Sequence, residues 1–236
     1  MIKKIDLSPN FSKKNRKKRD IKFVIIHYTG MQSEIESFNR LKNLKAKVSC
    51  HYFISRNGQI TQMVKDFKIA WHAGKSKWKN FNNLNEASIG IELVNKGHEF
   101  RYQNFTDIQI RNLIILCKNL KKKYFLKKES FLGHSDIAPL RKEDPGEKFP
   151  WKKLSKYGLG IWYKKSKKKL QVNKKKEIEN LFFQNLYKIG YRYFDLKKRR
   201  VKDKLVIKSF QKRFLPKNIS GKIDKKTFEV SHFLAN

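Results

Sequence analysis

Short apolar runs predict buried strands in the first two thirds of the chain. Residues 23–26 are apolar and mostly β-branched, and they end on His27, a pattern typical of a buried strand. Residues 88–94 alternate between the two faces of a strand and carry Glu92 within the alternation. Both predicted strands therefore place one ionisable side chain in an otherwise apolar setting.

A hairpin is predicted between these two strands. Residues 51–55 and 60–64 have strand character, and Asn57 and Gly58 lie between them. Asn-Gly tolerates the positive φ values that a tight turn demands, so the two runs are expected to pair as antiparallel strands. Residues 1–20, which are polar and basic, are expected to form an extended arm.

Two stretches follow the 3.6-residue period of amphipathic helices. Thr106 and Gln109 form a capping-box sequence, which predicts a helix over residues 107–123. Its apolar stripe consists of Ile110, Leu113, Ile114, Cys117 and Leu120. A second helix is predicted within residues 34–44, with an apolar side formed by Ile35, Phe38, Leu41 and Leu44.

The pattern changes after Trp151. Residues 158–176 are rich in Gly and Lys and have few apolar positions, so they are expected to be a linker. Residues 177–236 carry three short helical patterns, which are typical of a small bundle. The predicted organisation is a domain at 1–157, a linker at 158–176 and a helical domain at 177–236.

The charge of the chain adds one open question. The net charge is +37, which favours polyanionic partners such as nucleic acid, an anionic lipid surface or an acidic polymer. However, only 11 of the 57 basic residues are arginine, and the lysines are spread over the whole chain. A solvated lysine-rich surface explains the same numbers. Because no nucleic-acid-binding motif is visible, we expect no specific nucleic-acid partner.

Composition also bears on compartment and redox chemistry. No apolar run approaches the roughly 20 residues of a membrane helix, so no transmembrane segment is expected. The N-terminus lacks the apolar segment of a secretory signal, which favours the cytoplasm. The two cysteines, Cys50 and Cys117, lack metal-type spacing and predict no disulfide framework.

Residues 133–146 concentrate candidate chemistry in one segment. Pro and Gly break the segment, so it is expected to be a loop that curls back on itself. His134 and Asp144 would then meet at one metal ion, with His27 supplied by a strand of the same sheet. Two imidazoles and a carboxylate suit a zinc ion and leave a fourth position open for water. Glu92 is the candidate base and Lys142 the candidate cation for an oxyanion.

The order of these motifs resembles a known family. The chain is similar to type-2 N-acetylmuramoyl-L-alanine amidases, the zinc amidases related to peptidoglycan-recognition proteins, over roughly residues 8–155. The matching pieces are Ser8-Pro9-Asn10, Val24-Ile25-Ile26-His27-Tyr28-Thr29, Ser49-Cys50-His51-Tyr52-Phe53-Ile54, Asn57-Gly58-Gln59-Ile60, Ala70-Trp71-His72-Ala73-Gly74, Ser88-Ile89-Gly90-Ile91-Glu92-Leu93, Gly133-His134-Ser135-Asp136-Ile137-Ala138-Pro139, Arg141-Lys142-Glu143-Asp144-Pro145-Gly146 and Phe149-Pro150-Trp151.

The resemblance implies a reaction and a set of active-site residues. It implies zinc on His27, His134 and Asp144, with Glu92 and Lys142 as catalytic partners. The expected reaction is hydrolysis of the amide between the lactyl group of N-acetylmuramic acid and L-alanine of the stem peptide. Intact peptidoglycan and released anhydro-muropeptides remain alternative substrates. A peptidoglycan-recognition protein without activity is the alternative function, although no catalytic position departs from the family pattern.

The resemblance also implies residues of the substrate cleft. Tyr28, Trp71 and His72 are expected to line it. His51, in the His-Tyr motif of the predicted hairpin, is a further candidate for substrate binding, but a structural role is the favoured interpretation. His98 and His232 match no motif and are expected at the surface.

The C-terminal segment has a resemblance of its own. Residues 209–216 followed by Ile219, Gly221 and Asp224 are similar to a three-helix peptidoglycan-binding domain. The same residues also suit a plain helical core with a turn and a cap. The two resemblances together imply a mixed α/β fold, a central mostly β-sheet flanked by helices, plus a small all-α C-terminal domain. A monomer is expected. The compartment stays open, because the lack of a secretory signal favours the cytoplasm whereas a wall-binding segment favours the periplasm or outer envelope.

Overall fold

The computed structural model describes residues 4–164 and 175–236. Within them lie ten strands and seven α-helices. The strands are β1 Lys4–Ile5, β2 Phe11–Asn15, β3 Phe23–Tyr28, β4 Tyr52–Ile54, β5 Ile60–Gln62, β6 Lys68–Ala70, β7 Lys77–Trp78, β8 Phe81–Asn82, β9 Ser88–Leu93 and β10 Phe131–Gly133. The helices are α1 Glu34–Lys42, α2 Asp107–Tyr124, α3 His134–Ile137, α4 Trp151–Ser155, α5 Lys175–Ile189, α6 Asp203–Phe214 and α7 Lys225–Ala235. The predicted mixed α/β fold with three C-terminal helices is confirmed.

A mixed six-stranded sheet forms the centre of the fold. Its strand order is β1-β5-β4-β9-β3-β10, and every neighbouring pair is parallel except β4 with β5. His27 on β3 lies in register with Glu92 on β9, and Gly133 on β10 lies in register with Ile26. The carboxyl ends of three parallel strands therefore bring His27, Glu92 and His134 to one edge of the sheet, where ligands commonly bind in open α/β folds.

Each face of the sheet is covered by a different part of the chain. Val24 and Ile26 pack into a cluster with the apolar stripe of α2. Phe23 and Ile25, which alternation points the other way, pack into a second cluster with α5, α6 and α7. The C-terminal helices thus complete the second face of the sheet.

The helix predictions had two outcomes. The helix predicted at 107–123 is confirmed as α2, and its capping box is present: Gln109 N donates to Thr106 Oγ1 over 3.2 Å, and Thr106 N donates to Gln109 Oε1 over 3.1 Å. The predicted apolar side of α1 was wrong in part, because Ile35 is 73% exposed and Leu44, beyond the helix end, is 65% exposed. The helix packs on a small cluster through Leu41 and Phe38 alone.

The predicted hairpin is confirmed, and the arm is more ordered than expected. Strands β4 and β5 pair antiparallel, and Gly58 adopts a φ of 83° in the connecting turn. Residues 4–20 do not project from the fold. Instead, β1 pairs in parallel with β5, and β2 pairs with β6 in a separate two-stranded sheet.

The domain boundaries stay a prediction. Most of the predicted linker, 158–176, lies outside the described residues, whereas the three helices predicted beyond it are present as α5, α6 and α7. These helices share one apolar cluster with the sheet, as described above. In the described part of the chain, no helix has both the length and the hydropathy needed to cross a bilayer.

Candidate metal centre and cleft

Three buried side chains converge at the carboxyl edge of the sheet. His27 lies near the end of β3, His134 is the first residue of α3, and Asp144 lies on the loop that follows. His27 Nδ1 is 3.0 Å from His134 Nδ1 and 2.9 Å from Asp144 Oδ2, and His134 Nδ1 is 3.1 Å from the same oxygen. This is a candidate metal site, because two imidazole nitrogens and one carboxylate oxygen suit zinc.

The second ring nitrogen of His134 decides which nitrogen faces the centre. His134 Nε2 lies 3.0 Å from the carbonyl oxygen of Ala73. Arg141 Nη2, which can only donate, lies farther from the same nitrogen, at 3.3 Å. The shorter contact, to an oxygen that only accepts, favours a proton on Nε2 and leaves the Nδ1 lone pair facing the site shared with His27 and Asp144. Hydrogen bonds of this kind orient metal-binding histidines in many proteins.

A longer chain of hydrogen bonds places the proton of His27 on Nε2. Ser88 Oγ donates to the Leu84 carbonyl over 2.6 Å, so it accepts from His72 Nε2 at 3.3 Å. His72 Nδ1 is then free to accept from His27 Nε2 at 3.0 Å, which leaves His27 Nδ1 unprotonated. Gly90 permits this packing, because a Cβ there would lie 2.3 Å from His72 Cγ.

The protonation states suit metal binding. Burial, followed by the neighbouring His134, lowers the pKa of His27 to about 4, so this imidazole is neutral at pH 7. Burial raises the pKa of Asp144, but His134 and His27 outweigh it and hold that pKa well below its usual range. A neutral imidazole and an ionised carboxylate are the forms that bind a cation.

Glu92 differs from the three converging side chains. Burial, and then the negative charge of Asp144, raise its pKa well above the ordinary value, while Lys142 opposes the shift. Its Oε2 is buried and has no hydrogen-bond partner within residues 4–164 and 175–236. A carboxyl group with a raised pKa is a stronger base than an ordinary carboxylate, which suits it to taking up and releasing a proton during a reaction.

These groups open into a polar cleft of about 620 Å³. Of the residues proposed from the sequence, the cleft wall contains His27, Tyr28, Trp71, His72, Glu92, His134, Lys142 and Asp144. Lys142 is exposed, and Tyr28 is half-buried. The structure therefore brings eight of the nine predicted site residues to one cleft.

His51 is the exception. It is fully buried, it lies outside the cleft wall, and both ring nitrogens have protein neighbours. Nδ1 accepts from the backbone N of Gly90 over 3.0 Å, and Nε2 is 2.7 Å from Arg16 Nη2. The substrate-binding interpretation of His51 is corrected on this geometry, and the structural interpretation is favoured.

Two residues of the cleft were missed from the sequence. His98, expected at the surface, lines the cleft and lies 2.8 Å from the Tyr28 hydroxyl through Nδ1 and 3.0 Å from Glu147 Oε2 through Nε2. Arg141 also lines the cleft, and its guanidinium hydrogen-bonds the carbonyls of Ala73 and Lys75. Arg141 adjoins Lys142, so its place in the loop was a usable signal, whereas His98 carries no local signal.

Comparisons with known proteins identify a family and several relatives. The N-acetylmuramoyl-L-alanine amidase family model matches residues 17–147, more than half of the chain. N-acetylmuramoyl-L-alanine amidase AmiD of Escherichia coli strain K12 is 34% identical over 230 residues, which covers 91% of this chain and 82% of that protein.

Two solved structures extend the similarity over both parts of the fold. One is E. coli AmiD with the substrate anhydro-N-acetylmuramic acid-L-Ala-D-γ-Glu-L-Lys, with a TM-score of 0.79 and 30% identity over 94% of this chain and 91% of that one. The other is AmpDh3 of Pseudomonas aeruginosa with anhydromuramic pentapeptide, with a TM-score of 0.81 and 27% identity over 95% of each chain. With a family model that matches more than half of the chain and a relative 34% identical over 91% of it, the chain belongs to the N-acetylmuramoyl-L-alanine amidase family.

Proposed function

We propose that this protein is a zinc-dependent amidase that cleaves the bond between the lactyl group of N-acetylmuramic acid and L-alanine of the stem peptide. One observation carries the proposal beyond family membership. His27 Nδ1, His134 Nδ1 and Asp144 Oδ2 converge in one buried place, with separations of 2.9 to 3.1 Å. This donor set fits zinc and leaves a coordination position open.

We propose released anhydro-muropeptides as the substrate class. The solved complexes of AmiD and AmpDh3 contain anhydromuramic peptides, and both proteins match this chain along almost its full length. Arg40, Arg141 and Lys142 line the cleft and supply cations for the carboxylates of a stem peptide.

Glu92 and Lys142 have different roles in the proposed reaction. Zinc, when bound, supplies Lewis-acid chemistry that activates water and polarises a carbonyl group. Glu92 accepts a proton from the attacking water and returns it to the nitrogen of the departing L-alanine. Its raised pKa supports this exchange, because the carboxyl holds the proton between the two transfers. Lys142, exposed at the cleft wall, directs a cation at the developing oxyanion.

Substitutions of Asp144 and of its neighbour Glu143 test the proposed metal site. Asp144→Ala should abolish stoichiometric zinc binding and cleavage, because it removes the only anionic ligand of the proposed set. Glu143→Ala is the matched control: its side chain is 56% exposed, so zinc content should stay at the wild-type level. Equal zinc in both variants would refute the assignment of Asp144.

The reaction itself is tested with the wild-type protein. Purified full-length protein with zinc should release free stem peptide from an anhydro-muropeptide, which mass spectrometry detects. A protein that binds zinc and the muropeptide but leaves the amide intact would instead be a recognition protein.

A further inference from the structure

The loop that carries His134 and Asp144 is held from the C-terminal helical segment. Asp136, two residues after His134, is 1% exposed and forms an ion pair with Arg213 of α6. Its other oxygen accepts from the Tyr191 hydroxyl over 2.5 Å. Both partners lie more than fifty residues further along the chain, in the segment that resembles a wall-binding domain.

Asp136 passes this restraint on to His134. The backbone N of Gly133 donates to Asp136 Oδ2 over 2.8 Å, so the Asp136 side chain caps the short helix α3. His134 is the first residue of that helix. The direction of the His134 side chain therefore depends on a cap whose carboxylate is held by Arg213 and Tyr191.

Further contacts from α6 reach the same turn. Ser209 Oγ donates to the carbonyl of Ser135 over 2.7 Å, and Arg213 Nη2 donates to the carbonyl of Phe131 over 3.0 Å. The Arg213 guanidinium also lies 4.0 Å from the ring centroid of Trp151. One arginine thus joins the start of β10, the cap of α3 and the start of α4.

Because Asp136 and Arg213 are buried, separating them would be energetically costly. The side chains of Asp136 and Arg213 are 1% and 3% exposed, and Tyr191 is fully buried. Removing one partner of a buried charged pair leaves the other without compensation, so the loop and α6 have a strong preference for one relative position. The neighbouring pair of Lys212 with Glu143 contributes less, because Glu143 is mostly exposed.

We propose that Arg213 and Tyr191 are positioning residues for the metal centre and act on His134 through Asp136. The C-terminal helices would then serve the active site directly, apart from any contact with the wall. This inference rests on the zinc site of the proposed function. Groups that orient metal ligands typically change metal affinity by about 10- to 100-fold when removed.

The most conservative test is Tyr191→Phe in the full-length protein, because it removes one hydroxyl and keeps the buried ring. Zinc affinity, measured by competition with a chelator, should fall about 10-fold. The visible spectrum of the cobalt(II)-substituted protein should also shift, since the ligand geometry changes. kcat should fall at sub-saturating zinc and recover with added zinc, while KM for the muropeptide should stay close to the wild-type value.

Ser231→Ala is the matched control within the same helical segment. It removes the buried hydrogen bond between Asn185 Nδ2 and Ser231 Oγ, which joins α5 to α7 without touching the loop. We expect a lower Tm with unchanged zinc affinity and an unchanged cobalt spectrum. Arg213→Lys, which keeps the charge but not the forked geometry, should weaken zinc binding at least as much as Tyr191→Phe.

The outcomes separate the two proposals. A wild-type protein that binds zinc, together with a Tyr191→Phe variant that binds it equally well, overturns the positioning role and leaves the proposed function intact. A lower Tm for Tyr191→Phe with wild-type zinc affinity has the same meaning, because that is what a merely structural residue would give. Failure of the wild-type protein to bind zinc overturns both.

Discussion

Two carboxyl groups with buried oxygen atoms, Asp66 and Glu92, lie in different regions of this molecule and differ in their hydrogen-bond partners. Asp66, after β5, accepts from the hydroxyls of Tyr52 and Tyr124, each over 2.6 Å, and from Lys123 Nζ over 2.8 Å. Glu92, on β9 at the edge of the cleft, has a buried oxygen with no partner among the described residues.

The difference in partners produces a difference in pKa. Burial alone raises the pKa of both carboxyl groups. At Asp66 the hydrogen bonds from Lys123 and the two tyrosines outweigh burial and lower the pKa below 3.8. At Glu92 the charge of Asp144 adds to burial and the pKa rises. A buried acid with several donors stabilises the fold, whereas one deprived of donors is available for proton transfer at a cost in stability.

The largest expected effect is on catalysis. Glu92→Gln keeps the shape of the side chain but cannot take up a proton, so the rate of amide cleavage should fall by about 10²- to 10⁴-fold. Zinc content should be unchanged, and Tm should be equal or higher because the variant removes an ionisable group from an unfavourable site. If Glu92→Gln lost several degrees of Tm but kept the wild-type rate, Glu92 would be a stabilising residue like Asp66 and not the acid that transfers a proton.

The opposite result is expected at the other carboxyl group. Asp66→Asn should lower the free energy of unfolding by about 2 kcal/mol, because three donors lose a charged acceptor. Urea unfolding measures the change. Cleavage per folded molecule should match the wild type, and a large loss of kcat would place Asp66 in the catalytic machinery.

The two acids should also respond to pH with opposite signs. The folded pKa of Asp66 is lowered, so its stabilisation is present above about 3.8 and is lost as the pH falls further. The folded pKa of Glu92 is raised, so its contribution is most favourable below 4.5 and declines as the pH rises toward the folded value. Tm curves from pH 3 to 8 should flatten at the acidic end in Asp66→Asn and at the higher end in Glu92→Gln. The same slope in both variants would contradict this difference in sign.

The smallest expected effect isolates one donor. Tyr52→Phe removes a single hydrogen bond to Asp66 and should cost about 1 kcal/mol in urea unfolding. Gln62 Nε2, at 3.4 Å from Asp66 Oδ1, is near enough to compensate in part. A cost above that of Asp66→Asn would mean that the carboxylate is not the centre of this network.

Much of the fold followed from local patterns. The capping box at Thr106 and Gln109 placed the start of α2, and alternation placed β9 with Glu92 inside it. The prediction for α1 failed at Ile35 and Leu44, because helical spacing alone does not reveal how wide a neighbouring surface is. The central sheet was implied by the family resemblance, and its strand order was known only from the structure, since strand pairing joins distant segments.

The candidate site was predicted unevenly. His27, His134 and Asp144 were proposed from their residue types and the resemblance, and the structure brings their ligand atoms together. The structural place of His51 and the position of His98 in the cleft were settled by tertiary contacts. Asp136 belongs to a matching motif but was given no catalytic or metal-binding role from the sequence, and the structure places it, buried, between Arg213 and Tyr191.

The sequence by itself determined the elements and the types of group available to the site. Helix caps, turns and the alternation of apolar and polar residues in strands each depend on a few consecutive residues, so the local sequence predicts them. Only the tertiary structure decided which buried polar groups obtained partners. Those partners come from segments far apart in the chain, and partnering is what makes Asp66 and Asp136 part of the framework while Glu92 stays free to carry a proton.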